Sequence, residues 1–366
     1  MSILRNAKSM AIGCLAAFTI GLGSATADDA TTLRIFTWEG YVTAEDISAV
    51  NQLLADAGNP CKAAVLDTFA QGPEQMFDVI RADQCDVSFL TLNYIKMQDE
   101  RIARLLQPID VTSSRIPEYA NTLPSLRQIP MGMAAGKPLY VPYGGGAYGI
   151  WANMKKVSKD EMPKKVADLL DPKWKGELSL TKGQIQPNVA LALMMMGKSP
   201  FHVNDLVESG DRVAAMDLCA AEGELQSTLQ KLYAQVGSFW DAAPTFEQKL
   251  VASYGIEIAG LRAKGEDWQL VNFAEGNTVW LDTINIMASV SGSKLEAAEI
   301  FINYFLSKTV QERVVNSLSM VGSIQGISNP TIDANPNFFN PSMFWPPYAS
   351  LADNLMRTLS DNAMKK

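Results

Sequence analysis

One histidine, His202, stands in the whole chain of 366 residues. A serine or cysteine triad needs an imidazole base, and His202 lies in Ser199-Pro-Phe-His-Val-Asn204, a loop-like stretch without a partner signature. Cysteine is nearly as scarce. Cys14, Cys61, Cys85 and Cys219 show no metal-ligand spacing, so neither a metal site nor any other cofactor is expected. Paired carboxylates for glycoside hydrolysis leave no sequence signature, but nothing points to them, and an enzyme is not expected. Basic residues are the minority, 31 against 39 acids. That balance disfavours nucleic acid and anionic membranes as partners and suits cationic ligands. Repeats and low-complexity segments are absent. Long apolar runs are missing too, with one exception near the start.

That exception runs from Met10 to about Leu22, preceded by Arg5 and Lys8 and followed by Ala25-Thr26-Ala27. It is shorter and more weakly flanked than a retained membrane span. Residues 1–27 therefore read as a secretory signal peptide cleaved after Ala27. Cys14 lies near the start of the run rather than its end, which argues against a lipidation site. Removing two cations and no acid leaves 339 residues with a formal charge of −10, expected in a bacterial periplasm as a monomer without membrane insertion. Export permits a disulfide. Cys61 and Cys85 each open an apparent strand, so they are the candidate pair unless a strand lies between them. Cys219 reads as a buried free thiol.

A chain of this length suggests two domains. Leu33 to Phe36 reads as a strand, and Thr43 with Asp46 forms a capping pair for a helix ended by Gly58 and Pro60. Ala63 to Phe69 is a second strand, Gln75 to Ala82 a helix and Asp86 to Leu90 a third strand. That alternation predicts a doubly wound α/β unit. Leu105 to Tyr143 reads as irregular connection, and Gly144 to Gly146 as a bend where the chain changes domain. A second set of elements follows: a strand at Lys175–Thr181, a helix at Pro187–Met196 and largely helical chain from Asp205 to Val236. Leu250–Ile258 and Thr278–Met287 read as strands, Glu296–Leu306 and Val310–Leu318 as helices. The expected division is residues 28–145 with 284–330 in one lobe and 146–283 in an inserted lobe. Residues 331–366 are then expected to pack across both, with a ligand cleft between them.

Ligands of open α/β sheets collect at the carboxyl ends of strands. The first strand ends there in Phe36-Thr-Trp-Glu-Gly-Tyr-Val42, whose Trp38 and Tyr41 are candidate ligand contacts. In Trp280-Leu-Asp282 the i, i+2 spacing puts a ring and a carboxylate on one strand face. Rings attract a cation through their quadrupole, and a carboxylate fixes it by a charge-assisted hydrogen bond. Glu39 and Glu257 are candidates for a second carboxylate, although each also suits a solvated surface.

The aromatic turn, together with Ala167-Asp-Leu-Leu-Asp-Pro-Lys-Trp-Lys-Gly-Glu-Leu178, Trp280-Leu-Asp282 and Ala298-Glu-Ile-Phe-Ile-Asn-Tyr-Phe-Leu306, resembles the periplasmic solute-binding proteins of ATP-driven importers, specifically the spermidine/putrescine-binding group. The resemblance runs over most of the mature chain and implies a two-lobe Venus-flytrap α/β fold of type II. It also implies a polyamine-like ligand, such as putrescine or spermidine, and a membrane permease as partner. Trp38 and Tyr41 match residues that flank the ligand chain, and Trp280 with Asp282 match a ring and a carboxylate that receive an amine. Asp241 and Tyr254 fall near ligand-facing positions. Leu90 and Leu92 stand where the group has a serine and a tyrosine. Lys182, Gly183 and Gln186 stand where polyamine binders offer acids, so a Lys182 facing the cleft would shift the ligand toward a monoamine, quaternary amine or zwitterion. A receptor that presents its ligand to a membrane sensor would share fold and site.

Overall fold

The computed structural model describes residues 31–365, so the signal segment and Cys14 lie outside the described residues. Strand β1 (Thr32–Phe36) buries Leu33, Ile35 and Phe36. The chain then turns into helix α1 (Ala44–Asp56) through a complete capping box. The Asp46 amide donates to Thr43 Oγ1 at 3.2 Å, and Asp46 Oδ2 accepts from the Thr43 amide at 2.8 Å. Gly58, at φ +68°, supplies the left-handed residue that ends the helix. Strand β2 (Lys62–Val65), helix α2 (Pro73–Arg81) and strand β3 (Val87–Thr91) complete the first unit. Both β2 and β3 pair with β1 in parallel.

The main path of the sheet continues in the order β2-β1-β3, then Thr278–Ile286, Val141–Asn153, Leu250–Ser253, Leu178–Thr181 and Val236–Trp240. The 13-residue strand Val141–Asn153 crosses between lobes. Residues up to Ala147 pack into the first hydrophobic core, and Tyr148, Ile150 and Ala152 into the second. The predicted bend at Gly144 to Gly146 is thus a continuous strand. Its glycines serve close approach instead. A Cβ on Gly145 would lie 2.4 Å from the Trp280 carbonyl oxygen, and one on Gly146 would lie 2.7 Å from Cζ2 of the Trp280 ring. Thr278–Ile286 runs antiparallel to both β3 and the crossing strand, with a register shift between Asp282 and Thr283.

The return to the first core comes earlier than the sequence division placed it, since Val279 and Leu281 pack there and Phe273 packs in the second core. Thr278–Ile286 is buried almost continuously, and such burial reads the same on either side of a lobe boundary, which is why the strand alone does not reveal it. The stretch expected to be helical from Asp205 to Val236 breaks into His202–Glu208, Arg212–Leu218 and Glu224–Tyr233. The strand starting at Leu250 stops at Ser253. At the C-terminus, Phe338, Phe339 and Phe344 pack into the first core. Ala352, Met356, Leu359 and Ala363 of the helix Ser350–Met364 pack into the second.

Cys61 and Cys85, the candidate disulfide pair, are not bridged. Strand β1 lies between the two strands those cysteines open. Two strand spacings of about 4.8 Å exceed the ~7 Å Cα reach of a disulfide. Both thiols are free and buried, and Cys61 Sγ lies 3.7 Å from Ser293 Oγ. Burial pushes the Cys85 thiol up to about 12, so it is inert as a nucleophile. Cys219 is also free and buried.

Candidate functional site

A cavity of about 550 Å³ opens where the two lobes and the C-terminal segment meet. From the first lobe it is lined by Trp38, Tyr41, Thr91, Tyr94, Trp280 and Asp282. The second lobe contributes Gln184, Gln186 and Tyr254, and the C-terminal segment contributes Trp345, Tyr348, Asp353 and Arg357.

Asp282 is the chemical centre of the first wall. It is 4% exposed, and no Lys, Arg or His among the described residues pairs with it. Its carboxylate accepts from Tyr41 Oη at 2.5 Å and from Thr91 Oγ1 at 2.7 Å. Burial pushes the Asp282 carboxyl up to about 6, against the downward pull of those two hydroxyls. Burial, reinforced by the neighbouring Asp282 charge, holds the Tyr41 phenol well above its ordinary value, so it remains a donor. Tyr94 is pushed up to about 12, by burial first and then by Asp282. The result is a carboxylate held by neutral donors among aromatic rings, with its charge not cancelled by the protein.

Tyr41 is fixed through its backbone. Its carbonyl accepts from Tyr143 Oη at 3.2 Å and from both Nη groups of Arg313 at 3.3 Å. Its ring lies 5.0 Å from that of Tyr143. Trp280 stands on the strand beside Gly146, two residues from Asp282, so ring and carboxylate share a face.

The opposite wall is organised around Asp353, on a helix that packs into the second core. Gln186 donates to Asp353 Oδ1, while Arg357 Nε reaches Oδ2 at 2.8 Å. Tyr348 Oη lies 3.4 Å from the same oxygen. Tyr254 donates to Gln184, and its ring meets Tyr148 edge-on at 4.9 Å.

Of the residues singled out from sequence, Trp38, Tyr41, Trp280, Asp282, Tyr254 and Gln186 line this cavity. Glu39 is exposed and outside the lining. Lys182 and Asp241 also stand outside it, paired with each other at 3.0 Å. Glu257 accepts from Ser253 Oγ at 2.8 Å and is not among the lining residues. After β3 the register is one residue off the expectation. Leu90 and Leu92 are buried in the core, and Thr91, Asn93 and Tyr94 face the cavity. The strap Trp345-Pro-Pro-Tyr348 and the pair Asp353/Arg357 were missed. Trp345 to Tyr348 carries no periodicity, whereas Asp353 and Arg357 form an i, i+4 pair on the amphipathic helix Ser350–Met364, a signal present in the sequence.

Residues 102–339 match the bacterial extracellular solute-binding protein family. The chain belongs to that family. Its members bind solutes and are not catalysts. The spermidine/putrescine-binding periplasmic protein of Escherichia coli K12 is 26% identical over 320 residues, covering 84% of this chain and 81% of that protein. Among solved structures, a spermidine/putrescine ABC transporter substrate-binding protein of Streptococcus pneumoniae superposes with a TM-score of 0.63 at 17% identity. It covers 91% of this chain and 99% of its own. A GABA receptor superposes at 0.59 with 14% identity, covering 92% and 98%. The fold is that of the periplasmic binding proteins. No helix among the described residues is long and apolar enough to cross a membrane.

Proposed function

We propose that this protein is the periplasmic substrate-binding component of an ABC importer and that its solute is a small organic amine. The observation that carries the reading is Asp282: a buried carboxylate with no cationic partner among the described residues, in a cavity also lined by Trp38, Tyr41, Tyr94 and Trp280. Such a group is unfavourable until a cation meets it. An alkylammonium would supply the charge, while its methylenes would be covered by the rings. The names of two similar proteins, which bind spermidine and putrescine, support an amine and put polyamines among the candidates to be tested. Export by cleavage after Ala27 would place the protein where such solutes arrive. The lobes would close on the solute by hinge bending, with ligand contacts to both walls shifting the population to the closed form. The closed form would then dock on a membrane permease.

The first test is a thermal-shift screen of the mature protein against polyamines, monoamines, quaternary amines and amino acids, followed by titration calorimetry. A tight ligand raises the melting temperature by mass action. A panel in which no amine shifts the transition would sink the amine reading.

Affinity for an amine should depend on pH in one direction. With free Asp282 titrating near 6 and the bound form requiring the carboxylate, binding is full above pH 7 and weakens below 6. Between pH 7 and pH 5 the loss should be about tenfold, since the ligand must displace a proton. A flat profile across that range would show that Asp282 does not meet the cation. Gly146→Ala probes the adjoining ring. Its methyl would crowd the Trp280 indole at 2.7 Å, and amine affinity should drop roughly tenfold at a stability loss of about 1–3 kcal/mol. Unchanged affinity would place Trp280 outside the binding surface.

A further inference from the structure

We infer that the cavity selects amines with a single positive charge and a neutral second end, discriminating against diamines, and that Arg357 sets this selection. The inference rests on the amine reading above and narrows it. The charged side chains lining the cavity are Asp282, Asp353 and Arg357, so the lining carries a net charge of −1. Asp282 is unpaired, whereas Asp353 is already answered by Arg357 at 2.8 Å and by Gln186. One cation at Asp282 therefore neutralises the whole lining.

A second ammonium finds no equivalent place. The Asp353 side chain is 7% exposed and both of its oxygens are occupied. The Arg357 side chain, 49% exposed, lines the cavity and reaches Asp353 through Nε, and its Nη groups have no hydrogen-bond partner among the described residues. Donors and a positive charge repel an ammonium and suit a neutral acceptor such as a hydroxyl or carbonyl. Lys182, the cation that the sequence placed in this role, is held by Asp241 outside the lining. The repulsive element sits instead on the C-terminal helix, where it works as specificity by exclusion.

A matched series tests this: 4-amino-1-butanol, putrescine and 4-aminobutyrate share a four-carbon chain and differ only in the second end group. Titration calorimetry on the wild-type protein at pH 7.5 should give at least tenfold tighter binding of aminobutanol than of putrescine. Arg357→Gln frees the Asp353 carboxylate and should move the ratio at least tenfold toward putrescine. Arg357→Lys retains the charge and should keep the wild-type order. Melting temperatures of both unliganded variants separate lost selectivity from lost folding. Putrescine binding as tightly as aminobutanol to the wild type would overturn the inference and leave the amine reading intact. Tightest binding of 4-aminobutyrate would overturn it in the other direction, by showing that Arg357 receives a carboxylate. If no amine of this series or of the wider screen binds, the amine reading itself falls.

Discussion

Asp282→Asn is expected to abolish amine binding and, in the same variant, to raise the melting temperature of the unliganded protein. The two effects have one cause. Asp282 accepts from Tyr41 and Thr91 but meets no cation, and burial lifts its carboxyl from 3.8 to about 6. Between those values the folded state holds the proton more tightly than the unfolded chain. Stability contributed by the protonated form is therefore present at low pH, declines as pH rises through about 4 to 6, and is absent above. At neutral pH the charged group destabilises the empty fold by roughly 3 kcal/mol on the usual conversion of pKa to free energy. Asparagine keeps an acceptor for one hydroxyl, lets the other rotate to accept, and carries no charge. The unliganded variant should melt a few degrees higher at pH 7.5 and lose that advantage below pH 4. Binding should weaken by 10²-fold or more, as when one partner of a buried charge pair is removed. Calorimetry of both states reads the two effects separately. A variant that melts lower than wild type at pH 7.5 would show that the Asp282 charge is stabilised within the empty fold. Stability traded for an unpaired charge is the pattern expected of a site awaiting its ligand.

How much of this was legible beforehand follows from which interactions are local. Trp280 and Asp282 were found because a strand puts i and i+2 on one face, and Trp38 and Tyr41 because strand ends collect ligands. The capping box of α1 is likewise a four-residue pattern, Thr43 to Asp46. What escaped depends on pairing between distant segments. Lys182 lies beyond the cavity because Thr181 pairs with Trp240, which brings the following residues, Lys182 and Asp241, together across neighbouring strands. No pattern in either strand announces the other as its neighbour. Cys61 and Cys85 were judged by strand ends, while the order β2-β1-β3 decided their separation. Leu90 and Thr91 differ by one step of a period-two element, so a slip of one residue exchanges core for cavity. Arg357 was legible as the i, i+4 partner of Asp353, but its place at the cavity was not. The chain arrives there through Pro346-Pro347, an extended strap whose course is set by packing of Phe344 in one core and Met356 in the other.

Asp46→Ala is expected to lower unfolding stability by about 3 kcal/mol, within the range for breaking a buried ion pair by removing one partner. Asp46 is buried and its carboxylate gathers three donors from separate parts of the chain. It accepts from the Thr43 amide at 2.8 Å, Arg313 Nη2 at 2.6 Å and Tyr304 Oη at 3.1 Å. Truncation removes half of the capping box, leaves the 23%-exposed Arg313 side chain without its counterion, and opens a small void. Asp46→Asn keeps an acceptor and much of the shape, so its loss should be less than half as large. Urea unfolding of the two variants reads the difference, with unchanged m-values needed before midpoints are compared. A loss under 1 kcal/mol in Asp46→Ala would mean that solvent takes over Arg313 and that the ion pair is not structural. The consequence reaches the cavity through one atom. Arg313 also holds the Tyr41 carbonyl, and Tyr41 holds Asp282. Loosening that guanidinium should therefore weaken amine binding several-fold even at temperatures where Asp46→Ala is fully folded, because the hydroxyl that orients the carboxylate is no longer placed by its own backbone.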